Sequence, residues 1–176
     1  MARHTTLVQR LRSAEGTTLI ETTIACAILL VAMAGLMGMS AIATGLTENQ
    51  GHLAARTTEY AQDKMEQLLA LKYGDAQSDT TVFPAANSGG TGLAAGGSVN
   101  TAAPAARYVD YLDQSGNLLV SVNNVAPANW FYKRVWQITT PSANLKEITV
   151  TTIVARSVGG VLRPQSTVVA LKTFPF

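Results

Sequence analysis

The chain has 176 residues, enough for one modest domain, with 47% hydrophobic and only 14% charged residues. Its single cysteine, Cys26, excludes an internal disulfide framework. The formal charge is +2, but residues 1–16 carry Arg3, Arg10 and Arg12 against Glu15, and without them ten basic residues balance ten acidic ones, so charge points to neither nucleic acid nor an acidic partner.

Residues 1–16 are polar and basic and hold no apolar core. A secretory signal peptide places its apolar region before the cleavage site. Here the apolar stretch follows, so a cut after Gly16 would leave it on the mature chain. Residues 17–47 read as a membrane helix: Thr22 to Thr47 are 26 residues without Asp, Glu, Lys or Arg, and about 20 apolar residues cross a bilayer. The preceding arginines set the N-terminus in the cytoplasm. Ala34/Gly38 and Ala41/Gly45 are small pairs four apart, a spacing that lets helices approach closely, although Gly and Ala are also common in any membrane helix. Cys26 reads as a small buried hydrophobe.

Residues 48–73 continue the helix. Leu53, Tyr60, Ala61, Met65, Leu68, Leu69 and Lys72 follow a helical stripe, with Lys72 contributing its stem. Glu48, Arg56, Glu59, Asp63, Lys64 and Glu66 supply the wet face, and Gly74 is placed to cap the end. One helix of about 55 residues, roughly 80 Å at 1.5 Å per residue, cannot be buried within its own small domain. Residues 74–106 have the Gly/Ala/Ser-rich composition of a linker loop.

Residues 107–176 change to a period of two. Leu118, Val120 and Val122 alternate with Leu119 and Ser121; Ile148, Val150 and Val154 share a strand face; Val161 to Leu171 forms a last strand that Pro164 marks as an edge. Turn signals stand at 114–117, 123–124, 141–144 and 159–160. The expectation is a four- or five-stranded antiparallel meander covered by the C-terminal half of the helix: an α+β fold.

The constellation Gly16-Thr17-Thr18-Leu19-Ile20-Glu21 followed by an uncharged helix resembles the N-terminus of type IV prepilins and type II secretion pseudopilins. Gly16, Thr18, Leu19, Ile20 and Glu21 match; Thr17 stands where the family usually has Phe. The resemblance implies a pilin-like fold, cleavage by prepilin peptidase between Gly16 and Thr17, N-methylation at Thr17, and assembly into a helical filament, with Glu21 pairing with a neighbour's new α-amine. A carboxylate within a membrane segment costs about 2.5–3.5 kcal/mol on insertion scales, which is why it should have a partner. The alternative is a carboxylate snorkelling to the interface. Tyr60 to Leu68, and Arg134 to Ile138 with Leu145 to Val150, are similar to segments of minor pilins and smaller pseudopilins. The implied partners are prepilin peptidase, other pilins or pseudopilins, the inner-membrane assembly platform and the membrane itself. The implied location is a single pass of the inner membrane, with the head in the periplasm, then a periplasmic pseudopilus or surface pilus.

The residues offer no catalytic set, no cofactor site and no metal site. His4 and His52 cannot meet in a mature chain, and Cys26 lies 26 residues from His52 on one helix. Asp113 to Asn117 reads as a hairpin turn rather than a calcium loop, which needs six to eight oxygens. Residues 107–176 carry seven basic and three acidic residues, with Trp130, Phe131, Tyr132 and Trp136 around Lys133 and Arg134; strand packing accounts for these aromatics better than a nucleic-acid surface. A minor filament subunit is therefore expected, not an enzyme. A signal-anchored periplasmic binding protein that does not assemble, and a DNA-uptake (competence) pilin, stay open at this point.

Overall fold

The computed structural model describes residues 18–78, 90–121, 125–156 and 163–174. The leader, Gly16 and Thr17 lie outside the described residues, as do Val122, the turns at 123–124 and 159–160, and the start of the expected last strand. The chain divides into two compact units, residues 1–45 and 46–176.

A continuous α-helix, α1 (Leu19–Ala70, 52 residues), contributes to both. Thr18 caps its start: the Thr18 Oγ1 accepts a bond from the Glu21 N–H at 3.3 Å. Thr22 and Thr23 donate their hydroxyls to the Thr18 and Leu19 carbonyls, so these polar side chains satisfy themselves along the helix.

The second unit holds a six-stranded sheet: β1 (Gly96–Gly97), β2 (Val109–Leu112), β3 (Leu118–Leu119), β4 (Tyr132–Ser142), β5 (Leu145–Val154) and β6 (Gln165–Thr173). All pairings are antiparallel, in the order β3-β2-β4-β5-β6, with β1 also on β4. This is not the simple meander expected. β4 pairs with β2 instead of β3, and β1 takes the far end of the same β4 edge, opposite Gln137 and Ile138. β3 is only two residues long, and Val120, expected inside it, is 81% exposed. β6 begins directly after Pro164 and lies at the sheet edge, where a missing N–H costs no ladder bond.

The linker composition of residues 74–106 hides structure. Leu93 is fully buried, and the Gly96–Gly97 pair joins the sheet because only a residue without Cβ fits there. Gly97 has φ +85°, and a Cβ would run into the Trp136 backbone carbonyl and the Tyr108 ring.

Within this unit, α1 lays Thr57, Ala61, Lys64, Met65 and Leu68 against one sheet face. Ala61, Met65, Leu68, Leu93, Trp136, Ile138, Ile148 and Val150 form the main core. Each fully buried large side chain contributes about 1.5–3 kcal/mol, which makes this face the main source of stability. Ile148, Val150 and Val154 do share the inner face, joined by Thr152. At the opposite end of the face, Tyr60 meets Tyr132 edge to face at 4.8 Å. Small residues let the helix approach β6, where Thr57 and Thr58 both bond the Ser166 hydroxyl, at 2.9 and 2.7 Å.

The helix stripe differs from expectation at its charged and C-terminal members. Lys64, expected on the wet face, is fully buried, whereas Leu69 is 37% exposed and Lys72 is exposed. Gly74 lacks the positive φ of a capping glycine. The carbonyls at the helix end are met instead by lysines of the sheet. Lys172 Nζ donates to the Leu69 and Leu71 carbonyls, and Lys146 Nζ donates to those of Tyr73 and Leu93, each at 2.7 Å. Cations from β5 and β6 thus complement a helix C-terminus that has no basic residue in its own last turn.

Candidate functional site

The uncharged part of α1 is an apolar surface with no cover of its own. Its most apolar window has a mean hydropathy of 2.2 and none of it is buried. Ile20, Leu30, Val31, Leu36, Met37 and Ile42 are each at least 66% exposed. A Cβ added at Gly35, Gly38 or Gly45 would meet nothing within 4 Å, so no contact among the described residues requires small residues there. Ala34 and Ala41 lie on the same exposed helix, as does Cys26. By length and composition this stretch is a helix apolar enough to cross a membrane.

Glu21 is exposed in the first turn of α1, and among the described residues its carboxylate has no ion-pair or hydrogen-bond partner. Thr18 and Glu21 stand in the spacing of a capping box, and the Thr18 half of it is formed. The Thr-x-x-Glu pattern thus gives Glu21 a second role, an acid at the positive end of a helix dipole.

The second unit holds a buried charge cluster that the sequence did not disclose. Lys64 Nζ lies 2.8 Å from Asp110 Oδ2, with side chains 0% and 2% exposed. Arg134 reaches the same carboxylate through Nε at 2.7 Å and Nη2 at 2.9 Å. Its Nη1 donates to Asp63 Oδ2 at 2.6 Å and to the Tyr60 carbonyl at 3.4 Å. Lys64 also donates to Gln67 at 3.3 Å and sits 4.3 Å from the centroid of the Trp136 ring. Helix α1, β2 and β4 each contribute to this one cluster of two cations and two carboxylates.

The cluster is electrostatically asymmetric. Burial pushes the Asp110 carboxyl up, but Arg134 and Lys64 outweigh it and hold it below the ordinary carboxylate value. For Lys64, burial dominates and lowers the ammonium, with Asp110 opposing. Arg134 is raised, its two carboxylates outweighing burial. The arrangement locks helix to sheet.

The aromatic and basic residues singled out in the sheet are largely engaged within the second unit. Trp136 and Tyr132 are buried, Arg134 is consumed by the cluster, and Lys133 donates to the Thr101 carbonyl at 2.8 Å, with its Nζ 4.9 Å from the Trp130 ring centroid. The Asp113 loop is the turn of the β2–β3 hairpin: Asp113 Oδ1 accepts the Ser115 and Asn117 N–H groups at 2.8 and 2.9 Å, and Oδ2 accepts the Asn117 amide at 2.9 Å. Its oxygens are spent on that turn. Among the described residues, no three His, Cys, Asp or Glu side chains converge as a metal site. Comparisons with protein-family models, with curated proteins and with solved structures find no match to this chain.

Proposed function

We propose that this chain is a structural minor subunit of a type IV pilus or type II secretion pseudopilus. The observation that carries the reading is the exposed, charge-free stretch of α1 from Thr22 to Thr47, preceded in the first turn by Glu21. A bilayer and a filament core are the two environments that cover such a surface, and a subunit extracted from one into the other needs a helix compatible with both. The prepilin-like residues at 16–21 supply the processing site: prepilin peptidase cuts after Gly16, Thr17 becomes the N-terminus and its α-amine the methylation site. Glu21 then seats on the α-amine of a neighbouring subunit, while Ala34, Gly38, Ala41 and Gly45 let neighbouring helices approach. Other pilins or pseudopilins and the inner-membrane assembly platform are the partners; the head faces the periplasm. The second unit, an antiparallel sheet locked to the rest of α1, is the head that the filament displays.

The absence of a cysteine pair and of an acid-rich loop in the sheet favours a subunit present in few copies, and Glu21 supports a position below the extreme tip, where a neighbour's amine lies within reach. Mass spectrometry of the protein from its native membrane tests the reading: the mature chain begins at Thr17. A chain that still begins at Met1, or that begins beyond residue 40, overturns it.

A further inference from the structure

A groove of about 330 Å³ opens in the second unit, lined by Asn49, His52, Leu53 and Arg56 of α1, Gln114 of the β2–β3 turn, and Phe131 and Tyr132. The charge-free run of the helix ends at Thr47, so at 1.5 Å per residue the α1 side of the groove lies roughly 3–14 Å beyond that end. The headgroup layer of a bilayer extends about 5–8 Å beyond each face of the hydrocarbon core, so the groove opens within and just above it.

Its lining suits that layer. Arg56 supplies a guanidinium with five donors, of which Nη1 is engaged by Glu59 at 3.0 Å, and its side chain is 43% exposed. His52, Asn49 and Gln114 add ring and amide groups, and Leu53 and Phe131 form an apolar wall. A planar guanidinium beside amides and an apolar wall matches a phosphate oxygen pair attached to a glycerol backbone.

We propose that this groove binds the phosphodiester headgroup of an anionic phospholipid at the membrane surface, holding the head at the bilayer until the subunit is extracted. The proposal rests on the membrane reading of α1. Continuity of the groove with the end of the apolar run makes the lipid the occupant.

The test uses the full chain in nanodiscs made of equal parts phosphatidylcholine and phosphatidylglycerol, released and weighed with retained lipids by native mass spectrometry. Wild type should enrich phosphatidylglycerol over phosphatidylcholine by about fivefold, the effect of one cation near an anionic surface. Arg56→Gln should lose that enrichment, whereas Arg156→Gln, which removes the same charge from an exposed site elsewhere, should keep it. Equal retention of the two lipids by wild type, or enrichment unchanged in Arg56→Gln, overturns the proposal. Displacement of the lipid by millimolar glycerophosphoglycerol assigns the groove to soluble phosphodiesters and overturns the lipid assignment. A chain that fails to integrate into phosphatidylcholine nanodiscs overturns the membrane reading itself; integration without lipid preference overturns only the groove.

Discussion

Replacing Asp110 by Asn strands two buried cations. Asp110 takes three charged hydrogen bonds, from Lys64 at 2.8 Å and Arg134 at 2.7 and 2.9 Å, at 2% side-chain exposure. An asparagine can offer one oxygen, and its amide presents N–H donors to a donor. Removing one partner of a buried ion pair costs about 3–5 kcal/mol. For a unit of this size each kcal/mol moves the melting temperature by about 3–5 °C, so Asp110→Asn should lower it by roughly 10–20 °C. Thermal melts of the full chain in detergent, followed by near-ultraviolet circular dichroism of the buried Trp136 environment, read the change. Adding Lys64→Met to Asp110→Asn removes one stranded cation while keeping a stem of similar volume, and should recover about 1–3 kcal/mol. The pH dependence follows from the signs. Asp110 is held below its ordinary value, so its stabilisation is complete above about pH 4 and is lost as pH falls through the folded value. Lys64 is lowered by burial, so its charge costs stability at neutral pH and that cost is relieved as pH rises towards 10. A loss below about 1 kcal/mol for Asp110→Asn, or strict additivity of the two substitutions, would refute the interlocked-cluster account.

Gly97→Ala forces a side chain into a backbone at φ +85° and against the Trp136 carbonyl, so a loss of about 1–3 kcal/mol from backbone strain alone is expected in chemical denaturation; an unchanged midpoint would show that β1 does not need glycine. Residues 48–176 expressed alone should fold, since the second compact unit begins at Leu46 and contains its own core; an unfolded circular dichroism spectrum would refute this. Glu21→Ala should insert and be cleaved but assemble poorly, because the pairing with a neighbour's amine is removed while the costly carboxylate no longer opposes insertion; wild-type levels in sheared filaments would count against that role. Quantitative mass spectrometry of purified filaments should find this chain far below the most abundant subunit; if it is itself the most abundant, the minor assignment fails while the pilin-like reading stands.

The sequence by itself determined the parts that depend on local pattern. An uncharged run from Thr22 to Thr47 is legible because a helix apolar enough to cross a membrane is a matter of length and composition, and α1 carries that run without a break. The inner face of β5 was legible because Ile148, Val150 and Val154 alternate, and the edge position of β6 because Pro164 removes a donor. What only the tertiary structure decided are the pairings between residues far apart in the chain. Lys64 looks like any wet-face lysine until Asp110, 46 residues later, meets it under cover of Trp136. The lysines that close the helix end come from β5 and β6, 73 to 103 residues on, so a local search for a cap finds only Gly74. β1 hides in glycine-rich sequence because its reason for being glycine, the close Trp136 backbone and Tyr108 ring, exists only once β4 is in place. A buried charge depends on who its neighbours are, and long-range neighbours leave no trace in hydrophobic periodicity.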